Sequence, residues 1–156
     1  MRLKIVCMGK TKEGFIKEGI AKYVRYLQPY ADVEIREFKE EKIGDLSDAP
    51  LVRKKEAVKI FKTAPSDALL IALDERGQEF TSHGFATFLN KAIESGMRDM
   101  TFIVGGAMGL DESVIGRANT VMALSRWTLT HEIARLVLLE QLYRAFTIIK
   151  GKTYHY

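Results

Sequence analysis

The stretch from Ala68 to Leu73 is apolar at every position. A strand that presents apolar side chains to both of its faces has to be covered on both, which is the situation of a strand inside a parallel sheet. Met100 to Val104 and Thr120 to Leu124 repeat the pattern further along the chain. Leu3 to Met8, apolar and bounded by Gly9, reads as another strand. Val33 to Phe38 alternates apolar and charged residues, as a half-exposed strand at a sheet edge does.

Helical periodicity fills the intervals. Phe15, Ile16, Ile20, Tyr23, Val24 and Leu27 recur at helical spacing and stop before Pro29. A polar loop over Lys39 to Ala49 leads to a helix predicted from Pro50 to Thr63, with Val52, Val58, Ile60 and Phe61 turned inward. Thr81 or Ser82 can cap a helix carrying Phe85, Phe88, Leu89 and Ile93, and Gly96 suits its end. A short helix is expected near Glu112 to Ala118, and a long one from Thr130 to Lys150. The alternation implies an α/β fold: a mostly parallel sheet with helices on both faces.

The long last helix places Leu136 and Leu139 off its main apolar face, so it is apolar nearly all round and should be buried on two sides. A sheet covers one side, and a second protomer is the expected supplier of the other.

At 156 residues, without a linker or internal repeat, the chain is expected to form a single domain over residues 1–156. No apolar run approaches the ~20 residues of a membrane span. The amino terminus lacks a secretory pattern, and the single cysteine, Cys7, cannot form an internal disulfide. The expected location is the cytoplasm.

Net charge is +4, unevenly spread. Met1 to Pro65 holds fifteen Lys and Arg against ten acids, Ser66 to Leu129 five against eight, and Thr130 to Tyr156 four against two. Lys10, Lys12, Lys17 and the run Arg53, Lys54, Lys55 read either as solvated helix faces or as a track for phosphates.

In open α/β sheets ligands sit beyond the carboxyl ends of the strands. Three segments qualify: Asp74 to Gly77, Gly105 to Gly109, and Ser125 to Thr130. The glycine segment lacks the spacing of a dinucleotide or phosphate loop and contains no lysine, so it suits a small ligand held by backbone groups. Taken alone it reads equally as a tight turn with no ligand. His83, His131 and His155 have no metal-ligand spacing, and no nucleophile elbow is present, so no metal is expected. His131 opens the last helix, where capping or packing competes with catalysis. His155 lies in a short tail, Lys152 to Tyr156, whose two tyrosines no core requires.

Several motifs then combine. Ile103 to Leu110, the series Ala123, Leu124, Ser125, Thr128, Leu129 and His131, the series Glu140, Gln141, Tyr143, Arg144, Ala145 and Phe146, and the closing Tyr154 and His155 resemble the RlmH family over essentially the full chain. These are SPOUT-class methyltransferases acting at N3 of a pseudouridine in large-subunit (23S) ribosomal RNA. The resemblance implies a SPOUT-type fold with a carboxyl-terminal trefoil knot, a homodimer, S-adenosylmethionine as cofactor, and the assembled ribosome as substrate. It implies cofactor contacts from Leu73, Gly105, Gly106, Leu124, Ser125, Arg126, Trp127, Thr128 and Leu129. It implies catalytic roles for His155, in proton removal, and for Tyr154 and Arg144, in holding the base. One position departs: Thr130 stands where the family often has proline. Two other readings remain at this point, a non-enzymatic ribosome-binding factor and a SPOUT methyltransferase acting on transfer RNA.

Overall fold

The computed structural model describes residues 1–41, 44–64 and 67–152. Five strands, β1 (Arg2–Met8), β2 (Asp32–Phe38), β3 (Leu69–Glu79), β4 (Asp99–Val104) and β5 (Thr120–Ala123), form one sheet in the order β2-β1-β4-β3-β5. Every pairing is parallel. The helices are α1 (Gly14–Leu27), α2 (Ala49–Thr63), α3 (Ser82–Glu94), α4 (Glu112–Arg117) and α5 (His131–Ile149), with a single 3₁₀ turn, Leu46–Asp48, before α2. None is long and apolar enough to cross a membrane among the described residues.

Period-two alternation along the strands sorts the core into two layers. Leu3, Ile5 and Cys7 of β1, with Met100 and Phe102 of β4, face α1, α3 and α5. Val6, Met8 and Ile103 face α2 and α4. Burying each such side chain contributes about 1.5–3 kcal/mol, so the inner strands have to be apolar on both faces. β2 lies at the sheet edge and keeps its charged residues in solvent, which blunts the edge against further pairing.

Three expectations change. On α2 the inward set is Val52, Glu56, Ala57 and Ile60, while Val58 is exposed. Val58 belongs to the helix face turned to water, and a glutamate takes an inward position. β3 does not stop at Leu73: after an irregularity between Leu73 and Gln78 it pairs again with Met122 and Ala123 of β5. The segment Asp74 to Gly77, expected as a loop, is this bulge. A Cβ at Gly77 would lie 2.7 Å from backbone atoms of Val121 and Met122, so only glycine permits the approach.

The third change concerns α5. It lies between α1 and α3 on one face of the sheet. Leu139 is fully buried, and Leu136 packs over Gly19 of α1, where a Cβ would come within 2.8 Å of Leu136 Cδ1. The chain itself therefore covers Leu139 and part of Leu136, while Ile133, Leu136 and Val137 of α5 stay half-buried.

Arg135 of α5 is 1% exposed. Its Nη2 donates to the carbonyls of Met8 (2.7 Å) and Gly9 (2.8 Å), and its Nη1 donates to Thr11 Oγ1 (2.9 Å) and Glu37 Oε1 (3.1 Å). One guanidinium thus ties the end of β1, the β1–α1 connection and the end of β2 to the first turns of α5. Next to it, Glu132 Oε2 accepts the backbone N–H groups of Lys12 (2.9 Å) and Glu13 (3.1 Å) at the start of α1.

Replacing Arg135 with methionine strips the Met8 and Gly9 carbonyls of its N–H donors and leaves Glu37 to Thr11 alone, and should cost about 3–5 kcal/mol in urea denaturation. Arg135→Lys should recover only part, since an ammonium lacks the planar fork. Cys7 has no exposed surface, and burial pushes its thiol up to about 12, partly opposed by the charge of Arg135. Thiol reagents should leave the folded protein unmodified in mildly alkaline buffer and label one thiol per chain after unfolding.

Candidate functional site

Because all five strands run the same way, their carboxyl ends share one edge of the sheet. There, the ends of β3, β4 and β5 enclose a cavity of about 1050 Å³, closed by the starts of α1 and α5 and by Arg53 of α2.

The glycine segment after β4 forms the back wall. It turns tightly, with Gly109 N–H donating to the Gly106 carbonyl at 3.0 Å and Gly109 at φ +75. A Cβ at Gly105 would stand 3.0 Å from the Gly109 carbonyl carbon and 3.1 Å from Leu110 Cγ. A Cβ at Gly106 would stand 3.3 Å from both carboxylate oxygens of Glu56. The two readings of this segment therefore coincide: it is a tight turn, and its bare backbone also lines a cavity large enough for a ligand.

The segment after β5 forms the opposite wall. Thr128 Oγ1 donates to Glu75 Oε2 (3.1 Å), Trp127 N–H donates to Ser125 Oγ (2.9 Å), and Arg126 bonds the Glu79 carboxylate (2.9 Å) and the Glu75 carbonyl (3.2 Å). Trp127 is held at its backbone while its indole is 83% exposed at the cavity rim. Thr130 caps α5, its Oγ1 accepting Ile133 N–H at 3.3 Å with φ −61. That φ is the one a proline would have, so threonine keeps the backbone of the family's usual residue and adds a cap.

Of the nine residues expected around a cofactor, eight line this cavity: Leu73, Gly105, Gly106, Leu124, Ser125, Trp127, Thr128 and Leu129. Arg126 does not; its guanidinium straps the segment to β3. Arg144 donates to Glu140 Oε1 from Nε (3.0 Å) and Nη2 (2.6 Å) and lies about 15 Å further along α5 than Ala134, the last cavity residue of that helix. Tyr154 and His155 lie outside the described residues. No group of His, Cys, Asp and Glu stands in metal-binding arrangement among the described residues.

Charge around the cavity is mostly negative: Glu13, Asp74, Glu75, Glu112 and Glu132, against Arg53 and Arg76. Arg76 bonds both oxygens of Asp74 (2.9 and 3.1 Å) and Glu112 Oε1 (3.0 Å). Its hydrogen bonds hold the Asp74 carboxyl below the usual carboxylate range. His131 lines the cavity, with Nδ1 3.8 Å from Glu40 Oε1.

Glu56, 4% exposed behind Gly106, is the opposite case. Burial raises its carboxyl above the ordinary value, the backbone N–H of Glu41 partly opposes this, and the charge of Glu40 adds to the rise.

Glu56, Glu132 and Arg135 escape a sequence reading, and Arg53 entered it only within a basic run open to two readings. Arg135 alone carried a usable signal, as a charge set among Ala134, Leu136, Leu138 and Leu139 in a helix apolar on all sides.

The profile of a family described as "Predicted SPOUT methyltransferase" matches residues 1–155. A protein of Syntrophotalea carbinolica named "Ribosomal RNA large subunit methyltransferase H" is 43% identical over 155 residues, covering 99% of each chain. Proteins of the same name from Geobacter metallireducens and Listeria monocytogenes are each 43% identical, over 156 and 158 residues. The first alignment covers 100% of this chain and 99% of the relative, and the second 99% of each.

The raised carboxyl of Glu56 has a definite sign. The folded protein holds that proton more tightly than the unfolded chain, where glutamate titrates near about 4.3. The stability it contributes is therefore fully present below that value and is lost as pH rises through the raised one. Measured by urea midpoints from about pH 4 to about pH 8, stability relative to Glu56→Gln should fall as pH rises.

Proposed function

Because the chain belongs to the SPOUT methyltransferase family, in the group of ribosomal RNA large subunit methyltransferase H proteins, we propose that it methylates a base in large-subunit ribosomal RNA. In this proposal, residues 1–156 act as one SPOUT domain with the carboxyl-terminal knot of its class. The donor is S-adenosylmethionine, the target is N3 of a pseudouridine in the assembled ribosome, and the reaction takes place in the cytoplasm.

One observation carries the reading. Eight residues from three separate segments, singled out as cofactor contacts, converge on a single cavity with a back wall of bare glycine backbone. Its size and its excess of carboxylates fit a ligand that carries positive charge.

S-adenosylmethionine supplies a methyl group already activated by the sulfonium charge. The chain's task is then to hold, align and exclude water. Gly105 and Gly106 offer close backbone approach, and the segment 124–129, strapped to β3 by Arg126 and Thr128, keeps the opposite wall in place. N3 of a neutral pseudouridine carries a proton, and His155 takes it as the nitrogen attacks. Tyr154 and Arg144 donate to the base where negative charge develops. Arg144 stands about 15 Å along α5 from the last cavity residue of its own chain, and in this proposal a homodimer brings Arg144 of the second copy to the site.

Tritium transfer from labelled S-adenosylmethionine tests the reading, comparing whole ribosomes, separated large subunits and free RNA. Ribosomes should be labelled at one pseudouridine, and the absence of transfer to all three substrates would overturn the proposal. His155→Ala should lower the rate about 100-fold or more with S-adenosylhomocysteine binding unchanged. Wild-type rates in both His155→Ala and Tyr154→Phe would remove the tail from the reaction.

A further inference from the structure

Among the cations around the cavity, Arg53 is set apart by what it lacks. Asp74 and Glu112 are taken up by Arg76, Glu75 accepts from Thr128, and Glu132 accepts from the start of α1. Arg76 in turn spends its guanidinium on Asp74 and Glu112. Arg53 has no carboxylate within ion-pair distance among the described residues. Among the described residues its one hydrogen bond runs from Nη1 to the Met108 carbonyl at 3.5 Å, the outer limit for such a bond. A guanidinium carries five N–H donors. Asp111 feels the charge of Arg53, but its carboxylate is engaged by Ser113, with 2.9 Å from the backbone N–H and a shorter bond from the hydroxyl.

Placement adds to this. Arg53 sits on α2 between the buried Val52 and the buried pair Glu56 and Ala57, so its backbone is fixed against the sheet. Its side chain is half-buried at the cavity wall, beside the glycine segment. A cavity whose other formal charges are carboxylates and one neutralised arginine repels any oxyanion, except where a free guanidinium meets it.

We propose that Arg53 is the oxyanion-binding residue of this cavity, taking a carboxylate or phosphate group of the bound ligands. The proposal rests on the methyltransferase reading above, in which two ligands bring such a group: the amino-acid carboxylate of the cofactor and the phosphates of the RNA.

Calorimetry separates the sources, with S-adenosylhomocysteine, which has the carboxylate, and 5′-methylthioadenosine, which does not. If Arg53 takes the carboxylate, Arg53→Ala weakens S-adenosylhomocysteine about tenfold or more, leaves methylthioadenosine unchanged, and Arg53→Lys restores part of the loss. If it takes a phosphate, both nucleosides bind the variant as they bind the wild type. KM for ribosomes then rises at least severalfold, and its dependence on salt becomes shallower. Arg53→Gln, which keeps a donor and most of the stem, repeats the measurement should the alanine variant unfold. Wild-type binding of both nucleosides together with wild-type KM and salt dependence in Arg53→Ala overturns the proposal and leaves the methyltransferase reading standing. Failure of the wild-type protein to bind S-adenosylhomocysteine overturns both.

Discussion

A single buried guanidinium holds the working edge of this protein together. Removing Arg135 from water is costly, and the cost is met only because two carbonyls, a hydroxyl and a carboxylate converge on it. Those acceptors come from the end of β1, the connection into α1, and β2, while the guanidinium comes from α5. Elements 98 to 127 residues apart in the chain are thereby brought into register where the strands end. Glu132, three residues earlier, repeats the device by holding the first backbone N–H groups of the α1 region. The starts of α1 and α5 form one wall of the cavity, so its shape depends on this pair of side chains.

The remaining walls follow from the direction of the strands. A parallel sheet collects its carboxyl ends on one edge, and the order β2-β1-β4-β3-β5 sets the ends of β3, β4 and β5 side by side. Glycine then matters for two separate reasons. Gly77 permits backbone contact between β3 and β5, and Gly105 and Gly106 leave the cavity wall without side chains. The charged lining is organised around Arg76, which neutralises two carboxylates and leaves Arg53 as the open cation.

Much of this was legible beforehand, and for a physical reason. Strands buried on both faces admit few polar side chains, Thr101 of β4 being one, so β1, β3 and β4 are visible as mostly apolar runs. The helical periods of α1 and α3 are visible because each buries one stripe, and α5 is visible as a long helix apolar nearly all round. The same local rule misleads where burial is decided by a distant neighbour. Val58 has the composition of a core residue, and Glu56 that of a surface residue, but the turn of α2 against the sheet assigns them the reverse. Leu136 and Leu139 suggested a partner chain; within the chain Leu139 is fully covered, and Leu136 packs on α1 and stays half-buried. Arg126 belongs to a segment of cofactor-contact spacing, yet carboxylate and carbonyl oxygens of β3 hold its guanidinium away from the cavity lining.

By itself, then, the sequence determined the class of fold, the edge of the sheet where a ligand belongs, and most of the backbone that would surround it. These depend on short-range patterns of polarity and on glycine, which each segment carries within itself. Only the tertiary structure decided the electrostatics: that Arg135 is a buried clamp, that Arg76 is neutralised, that Glu56 is driven toward its protonated form, and that Arg53 is left open. The effect of a charge depends on what lies within a few ångströms of it, and in a parallel sheet those neighbours come from opposite ends of the chain.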